Sequence, residues 1–195
     1  MDAPIPLPPS VARKPIYART LAFRAYARED GLWDVEGRMH DSRDYLFDRF
    51  EGGALPAGEA AHDMSIRITV DDALLVRDVV AGMAARPFEE CVQATAPLKR
   101  LIGSTLGKGW RRAIDEAMGG TAGCTHLREL LFNMATAAIQ AVPSYQEHLQ
   151  YPGERNPGQA QSMPHFVDRC MSWRRTGPVV ERHYPQFFIQ PSDSD

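Results

Sequence analysis

The sequence predicts an α+β fold, a twisted antiparallel sheet of N-terminal hairpins packed against C-terminal helices. Three observations carry this. Residues 19–40 and 62–80 alternate apolar and polar side chains with a period of two, the pattern of half-buried strands. Residues 119–142 place Leu127, Leu130, Leu131, Met134, Ala138 and Ala141 on one apolar stripe with helical spacing. Strand patterns come first and helical ones after, without the βαβ alternation of a parallel sheet.

Composition bounds the function classes. A chain of 195 residues, 44% hydrophobic, is long enough for one domain with a full core, here 16–190, behind a proline-rich arm at 1–15. The charge balance is 22 basic against 25 acidic side chains, net −3. Nothing there matches a phosphate backbone, which excludes nucleic acid as the expected partner. No apolar run approaches the ~20 residues of a membrane span. The N-terminus lacks the basic-then-apolar pattern of a signal peptide. Three widely spaced cysteines do not make a disulfide framework, which points to a reducing cytoplasm. The remaining partners are a small molecule, a metal ion or a second copy of the chain.

In the first hairpin, Leu21, Phe23 and Ala25 share one face and Arg24, Tyr26 and Arg28 the other. On the return strand Trp33, Val35, Gly37 and Met39 alternate with Asp34, Glu36, Arg38 and His40. A two-residue turn at Asp30-Gly31 would mix these faces. A three-residue loop, Glu29-Asp30-Gly31 with Gly31 in the left-handed region, keeps them apart. It pairs Arg24 with Glu36, Tyr26 with Asp34, Ala25 with Val35 and Leu21 with Met39. Residues 41–61 read as loop. In the second hairpin Met64, Ile66, Ile68 and Val70 oppose Ser65, Arg67 and Thr69. Asp71-Asp72-Ala73 turns the chain, and the return strand runs from Leu74 to Val80.

Helices are expected at Val92–Ile102, stopped by Gly103, and at Trp110–Met118, ended by Gly119-Gly120. The long helix should follow and stop before Pro143. Residues 143–163 read as a polar loop or lid. Phe166, Val167, Cys170, Met171 and Trp173 suggest a last short helix with Cys170 in the core.

Chemistry is expected where the long helix begins. Cys124 or Thr125 is placed to cap it, and a thiol there feels the positive end of the helix dipole. His126 and Glu129 follow within a turn. One reading makes Cys124 and His126 a nucleophilic or acid–base pair oriented by Glu129 or Asp63. Another is a zinc or iron site, because thiolate, imidazole and carboxylate are the usual ligands. The candidate set is then His62, Asp63, Cys91 and Cys124. The polar face of the first hairpin (Arg24, Tyr26, Arg28, Asp34, Glu36) is a candidate wall for an anionic ligand. A third reading is a non-catalytic accessory protein that uses that face as an interface.

The stretches RAYAREDGLWDVEG (Arg24 to Gly37), HDMSIRITVDD, LIG, GCTHLRELL and VDRCMSW…GPVVERHYP resemble bacterial domain-of-unknown-function family 2889, from about Tyr17 to Pro185. More distantly, residues 62–142 resemble the core of IscU/NifU-type iron–sulfur scaffolds. The matching features are a His62-Asp63-Met64 entry to an alternating strand, a Val70-Asp71 turn, and Cys91 and Cys124 each opening a helix. That resemblance implies an IscU-like core with metal ligands at Asp63, with His62 beside it, Cys91 and Cys124. It departs from the family in lacking the first cysteine, the LPPVK segment and a histidine directly before Cys124, where Gly123 stands. Those departures suit a derived metal site or a reused small-molecule pocket better than cluster transfer.

Overall fold

A computed structural model describes residues 7–8, 10–151, 160 and 162–191. Four long strands form one antiparallel sheet in the order β1-β2-β5-β6: β1 (Tyr17–Ala27), β2 (Trp33–Arg43), β5 (Ala60–Val70) and β6 (Val76–Ala85). A short second hairpin, β3 (Phe47–Asp48) and β4 (Ala54–Leu55), interrupts the connection from β2 to β5. The strand-then-helix order of the α+β class is what the chain adopts.

The first hairpin takes the predicted register. Arg24 faces Glu36, Tyr26 faces Asp34, Ala25 faces Val35 and Leu21 faces Met39. The amide of Arg28 donates to the Leu32 carbonyl at 2.9 Å, leaving Glu29-Asp30-Gly31 as the loop, with Gly31 at φ 79°. The second turn works through its first aspartate. Asp71 Oδ1 accepts from the amides of Ala73 (3.0 Å) and Leu75 (2.9 Å), and Leu74 takes φ 60°.

Segment 41–61 departs from the expected loop. β2 continues to Arg43, so Asp41 keeps the alternation of Val35, Gly37 and Met39 and is buried with them. Residues Glu89–Leu101 form a 3-10 helix, with Leu98 and Leu101 inward at its three-residue period. Then α1 (Trp110–Met118) and α2 (Thr125–Gln150) complete the helical layer. The Trp110 indole N–H donates to the Leu131 carbonyl at 2.8 Å and ties α1 to α2.

One core joins the inward faces of sheet and helices. It contains Trp33, Val35, Met39, Met64, Ile66 and Ile68 from the sheet, and Ile114, Leu127, Leu130, Leu131 and Met134 from the helices. Gly37 on β2 lies under Leu130 of α2: a Cβ there would sit 3.1 Å from Leu130 Cδ1 and 3.1 Å from Phe23 Cε1, so a larger residue would need both side chains to give way.

α2 does not stop before Pro143 but runs on to Gln150. Proline inside a helix removes one hydrogen bond, a local cost of about 3 kcal/mol. Contacts on both sides of it offset that cost. Val142 is buried, Tyr145 packs edge-on against Trp33 (5.9 Å between centroids), and the Gln146 amide donates to Asp72 at 2.8 Å. Residues 143–150 of the expected loop are therefore helical, and 152–159 and 161 lie outside the described residues.

Contacts divide the chain into two compact units, one through Gln146 and one from Glu147. In the second, Val167, Val180 and Tyr184 form a small core, with Phe166, Trp173, Phe187 and Phe188 packed on it. The expected last helix is replaced by turns and the 3-10 segment Met171–Trp173, followed by α3 (Pro178–His183). Asp168 breaks the helix. It adopts φ 59° and accepts the Arg175 amide at 2.8 Å. Cys170 is consequently exposed rather than core.

Candidate functional site

Three strands place one polar row on the helix side of the sheet. Arg19 on β1 lies opposite Asp41 on β2, and Asp41 lies opposite His62 on β5, where the β2–β5 register shifts. Asp41 is only 1% exposed. Its carboxylate accepts two bonds from the Arg19 guanidinium, Nε to Oδ1 at 2.7 Å and Nη2 to Oδ2 at 2.8 Å. The fork geometry makes this a strong pairing. His62 Nδ1 lies 3.1 Å from Oδ2, and the Tyr17 hydroxyl also bonds the carboxylate.

The start of α2 comes down onto this row. The His126 ring stacks on His62 with centroids 3.9 Å apart and planes 32° from parallel, and its Nε2 is 3.9 Å from Asp41 Oδ2. Glu129, one turn on, accepts from Arg19 Nη1. Cys124 is the capping residue. Its carbonyl accepts the Arg128 amide at 3.0 Å, while the amides of Leu127 and His126 reach its sulfur. Cys124 Sγ lies 3.8 Å from His126 Nδ1.

Burial and hydrogen bonding compete in each titrating group. For Asp41, burial pushes the carboxyl up, but the Arg19 and Tyr17 bonds pull it below the usual carboxylate range. For His62, burial and the neighbouring His126 lower the imidazole, so it is neutral at pH 7 despite Asp41. For Cys124, burial pushes the thiol up. The His126 bond and the two helix amides outweigh it, and the net shift is downward.

Cys124 also faces space. It lines a cleft of about 560 Å³ with Cys91, Phe88, Glu90, Thr121 and Gly123. A thiol beside an imidazole, capping a helix at a cleft wall, can lose its proton and attack an electrophilic carbon. The ligand atoms of Asp41, His62 and His126 lie within 4.8 Å of one another, a spacing that could hold a metal ion.

The structure brings together only part of the residues proposed from sequence. Cys124, His126, Glu129 and His62 meet. Asp63 does not join them. Consecutive strand residues point to opposite faces, and its carboxylate is held by Arg38 (2.8 and 2.5 Å) with His40 at 3.6 Å. Cys91 shares the cleft with Cys124 but is not in the Asp41–His62–His126 group. On the other face, Arg24, Tyr26 and Glu36 line a groove. Arg28 bonds Asp30 and Asp34, and Asp34 also accepts the Thr69 hydroxyl at 2.6 Å.

Arg19, Asp41 and Tyr17 were not singled out from sequence. A signal existed. Asp41 falls in phase with the apolar run Trp33, Val35, Gly37 and Met39, and Arg19 in phase with Leu21 and Phe23. A charged residue on a core-facing phase needs a partner, and each is the other's.

No helix among the described residues is long and apolar enough to cross a membrane. No curated protein and no solved structure matches the chain, so the IscU/NifU resemblance finds no support there. A family model described as "Protein of unknown function (DUF2889)" matches residues 17–140, which hold the whole sheet, the Arg19–Asp41–His62 row and most of α2. The chain belongs to the DUF2889 family.

Proposed function

We propose that this protein is a thiol-dependent enzyme acting on a small molecule that enters the cleft beside Cys124. The observation that carries the reading is the placement of Cys124 Sγ, capping α2 at a cleft wall 3.8 Å from His126 Nδ1. Cys124 is the nucleophile, and His126 takes its proton at Nδ1. Asp41, 3.9 Å from Nε2, is the nearby negative charge that favours the resulting imidazolium. Arg19 fixes Asp41, Glu129 holds Arg19 from the helix, and His62 orients His126 by stacking. A working thiol of this kind suits a reducing compartment, and we read the setting as cytoplasmic.

Alkylation by iodoacetamide, followed site by site with mass spectrometry across pH, tests this. Cys124 should label with a midpoint below the ~8.5 of a free thiol. His126→Ala should raise that midpoint and slow labelling at pH 7 by about tenfold. An ordinary midpoint that His126→Ala leaves unmoved would remove the proposal.

The spacing of Asp41, His62 and His126 favours a second reading, a zinc or iron module in which those three replace the set expected from sequence. Two features weigh against it. Both Asp41 oxygens are taken up by Arg19, and the two imidazoles stack, so their in-plane lone pairs do not converge on one point. Elemental analysis of untagged protein separates the readings. Stoichiometric metal that disappears in His62→Ala and in His126→Ala supports the module, and trace metal unchanged by either rules it out.

A further inference from the structure

The sheet face turned away from the helices carries side chains in rows across all four strands. One row reads Arg24, Glu36, Arg67, Val80, and the next reads Ala22, Arg38, Ser65, Gly82. The second row is nearly all small. Arg38, its one long side chain, is held by Asp63 in the row beyond. The result is a groove of about 450 Å³ with a floor of Ala22, Ser65 and Gly82. That volume lies in the range of small-molecule sites, roughly 300–1,000 Å³.

The charges at its edge are unequally satisfied. Among the described residues, three strand arginines have a carboxylate partner, Arg19 with Asp41, Arg38 with Asp63 and Arg77 with Asp71, and so does Arg28 just past β1, with Asp30 and Asp34, while Arg43 lies over the Phe47 ring. Arg24 and Arg67, which flank the groove, have no hydrogen-bonded or ion-paired carboxylate there. Glu36 stands between them in the row but is within ion-pair distance of neither. Asp78, diagonal to Arg67 on β6, is ion-paired with Lys99, so two guanidiniums against the Glu36 carboxylate leave a net positive edge beside an uncharged floor.

We infer that this groove is a binding site for a small organic anion, whose carboxylate or phosphate sits between Arg24 and Arg67. Its flat apolar body rests on Ala22, Gly82 and Val80. Guanidinium suits both anionic groups, because its fork can give two parallel N–H···O bonds. The apolar body supplies what inorganic phosphate cannot, contact with the small-residue floor. Cys124 lies on the helix side of the sheet, so the groove stands apart from the proposed catalytic cleft, and neither assignment depends on the other.

Isotope-labelled full-length protein, titrated with 2-naphthoate, phenyl phosphate, inorganic phosphate and benzylamine, tests it by amide chemical shifts. Naphthoate and phenyl phosphate should shift the amides of Gly37, Ser65 and Gly82 saturably, with inorganic phosphate at least tenfold weaker and benzylamine silent. The Arg24→Gln/Arg67→Gln double variant should lose at least tenfold in affinity while its remaining amide spectrum stays folded. Glu36→Gln should tighten binding severalfold. The inference is overturned by any of three results: no saturable shift at millimolar ligand, equal binding of benzylamine, or unchanged affinity in the double variant.

Discussion

The two faces of the sheet use the same side-chain types for different ends. On the helix side, Arg19 and Asp41 form a forked pair whose carboxylate is 1% exposed, and everything around it is committed. On the open side, Arg28 bridges Asp30 and Asp34, and Arg38 bonds Asp63, but the arginines are exposed. The distances are similar, 2.7 and 2.8 Å within the buried pair and 2.7 Å for Arg28 to Asp30. Burial, not distance, decides how much such a pair matters. Desolvated charges cannot fall back on water when a partner is lost, whereas exposed ones can.

The largest expected effect follows from that difference. Asp41→Ala leaves the Arg19 guanidinium facing a row built around a missing carboxylate, and should lower stability by about 3 kcal/mol. Asp41→Asn keeps an acceptor but not the charge and should cost about half as much. Urea unfolding measures both. Arg19→Ala should cost at least as much, because it strands a carboxylate side chain that is 2% exposed, whereas Asp41→Ala leaves Arg19 a quarter exposed and still bonded to Glu129. A loss below about 0.5 kcal/mol in Asp41→Ala would mean that burial does not separate the two faces.

The same comparison explains what the sequence made legible. Strand phase alone set the Arg24–Glu36 register and the loop ending at Gly31, because a one-residue slip would turn Val35 and Met39 outward. The same phase reaches further along both strands. Followed two residues past Met39, it puts Asp41 in the core. Applied to His62-Asp63, it assigns the two to opposite faces and removes Asp63 from the candidate site. Cys124 and His126 were legible as a helix start, since capping is local. That His126 would meet His62 was not, because 64 positions of chain and the long-range packing of α2 on the sheet lie between those two facts. The helix through Pro143 was hidden for a related reason. Local proline chemistry argues against it, and the packing of Tyr145 on Trp33 that holds it is long-range.

A smaller effect should come from His62, on the buried side. Its pKa is lowered on folding, so the unfolded chain takes up its proton first as pH falls. Stability should therefore be full above the unfolded value near 6.5 and decline as pH falls from there through the folded value. His62→Gln keeps an N–H to offer Asp41 and removes the titration. Its unfolding free energy should be flatter between pH 7 and pH 5 than that of the wild type, and parallel profiles would show that His62 is not the group that titrates.

The smallest effect belongs to the open face. Arg28 makes as many close carboxylate contacts as Arg19, with Asp30 and Asp34 both in reach. A contact tally would rank the two equal. Arg28 sits at the hairpin end with its side chain 37% and its partner Asp30 51% exposed, and the loop it spans is already set by Gly31 and the Arg28–Leu32 backbone bond. Arg28→Ala should then move the melting temperature by less than about 1 °C, and the change should not depend on salt. A larger, salt-sensitive fall would mean that the Arg28–Asp34–Thr69 chain of bonds braces the open face as a unit. The two sides of the sheet would then differ in exposure but not in how they are held.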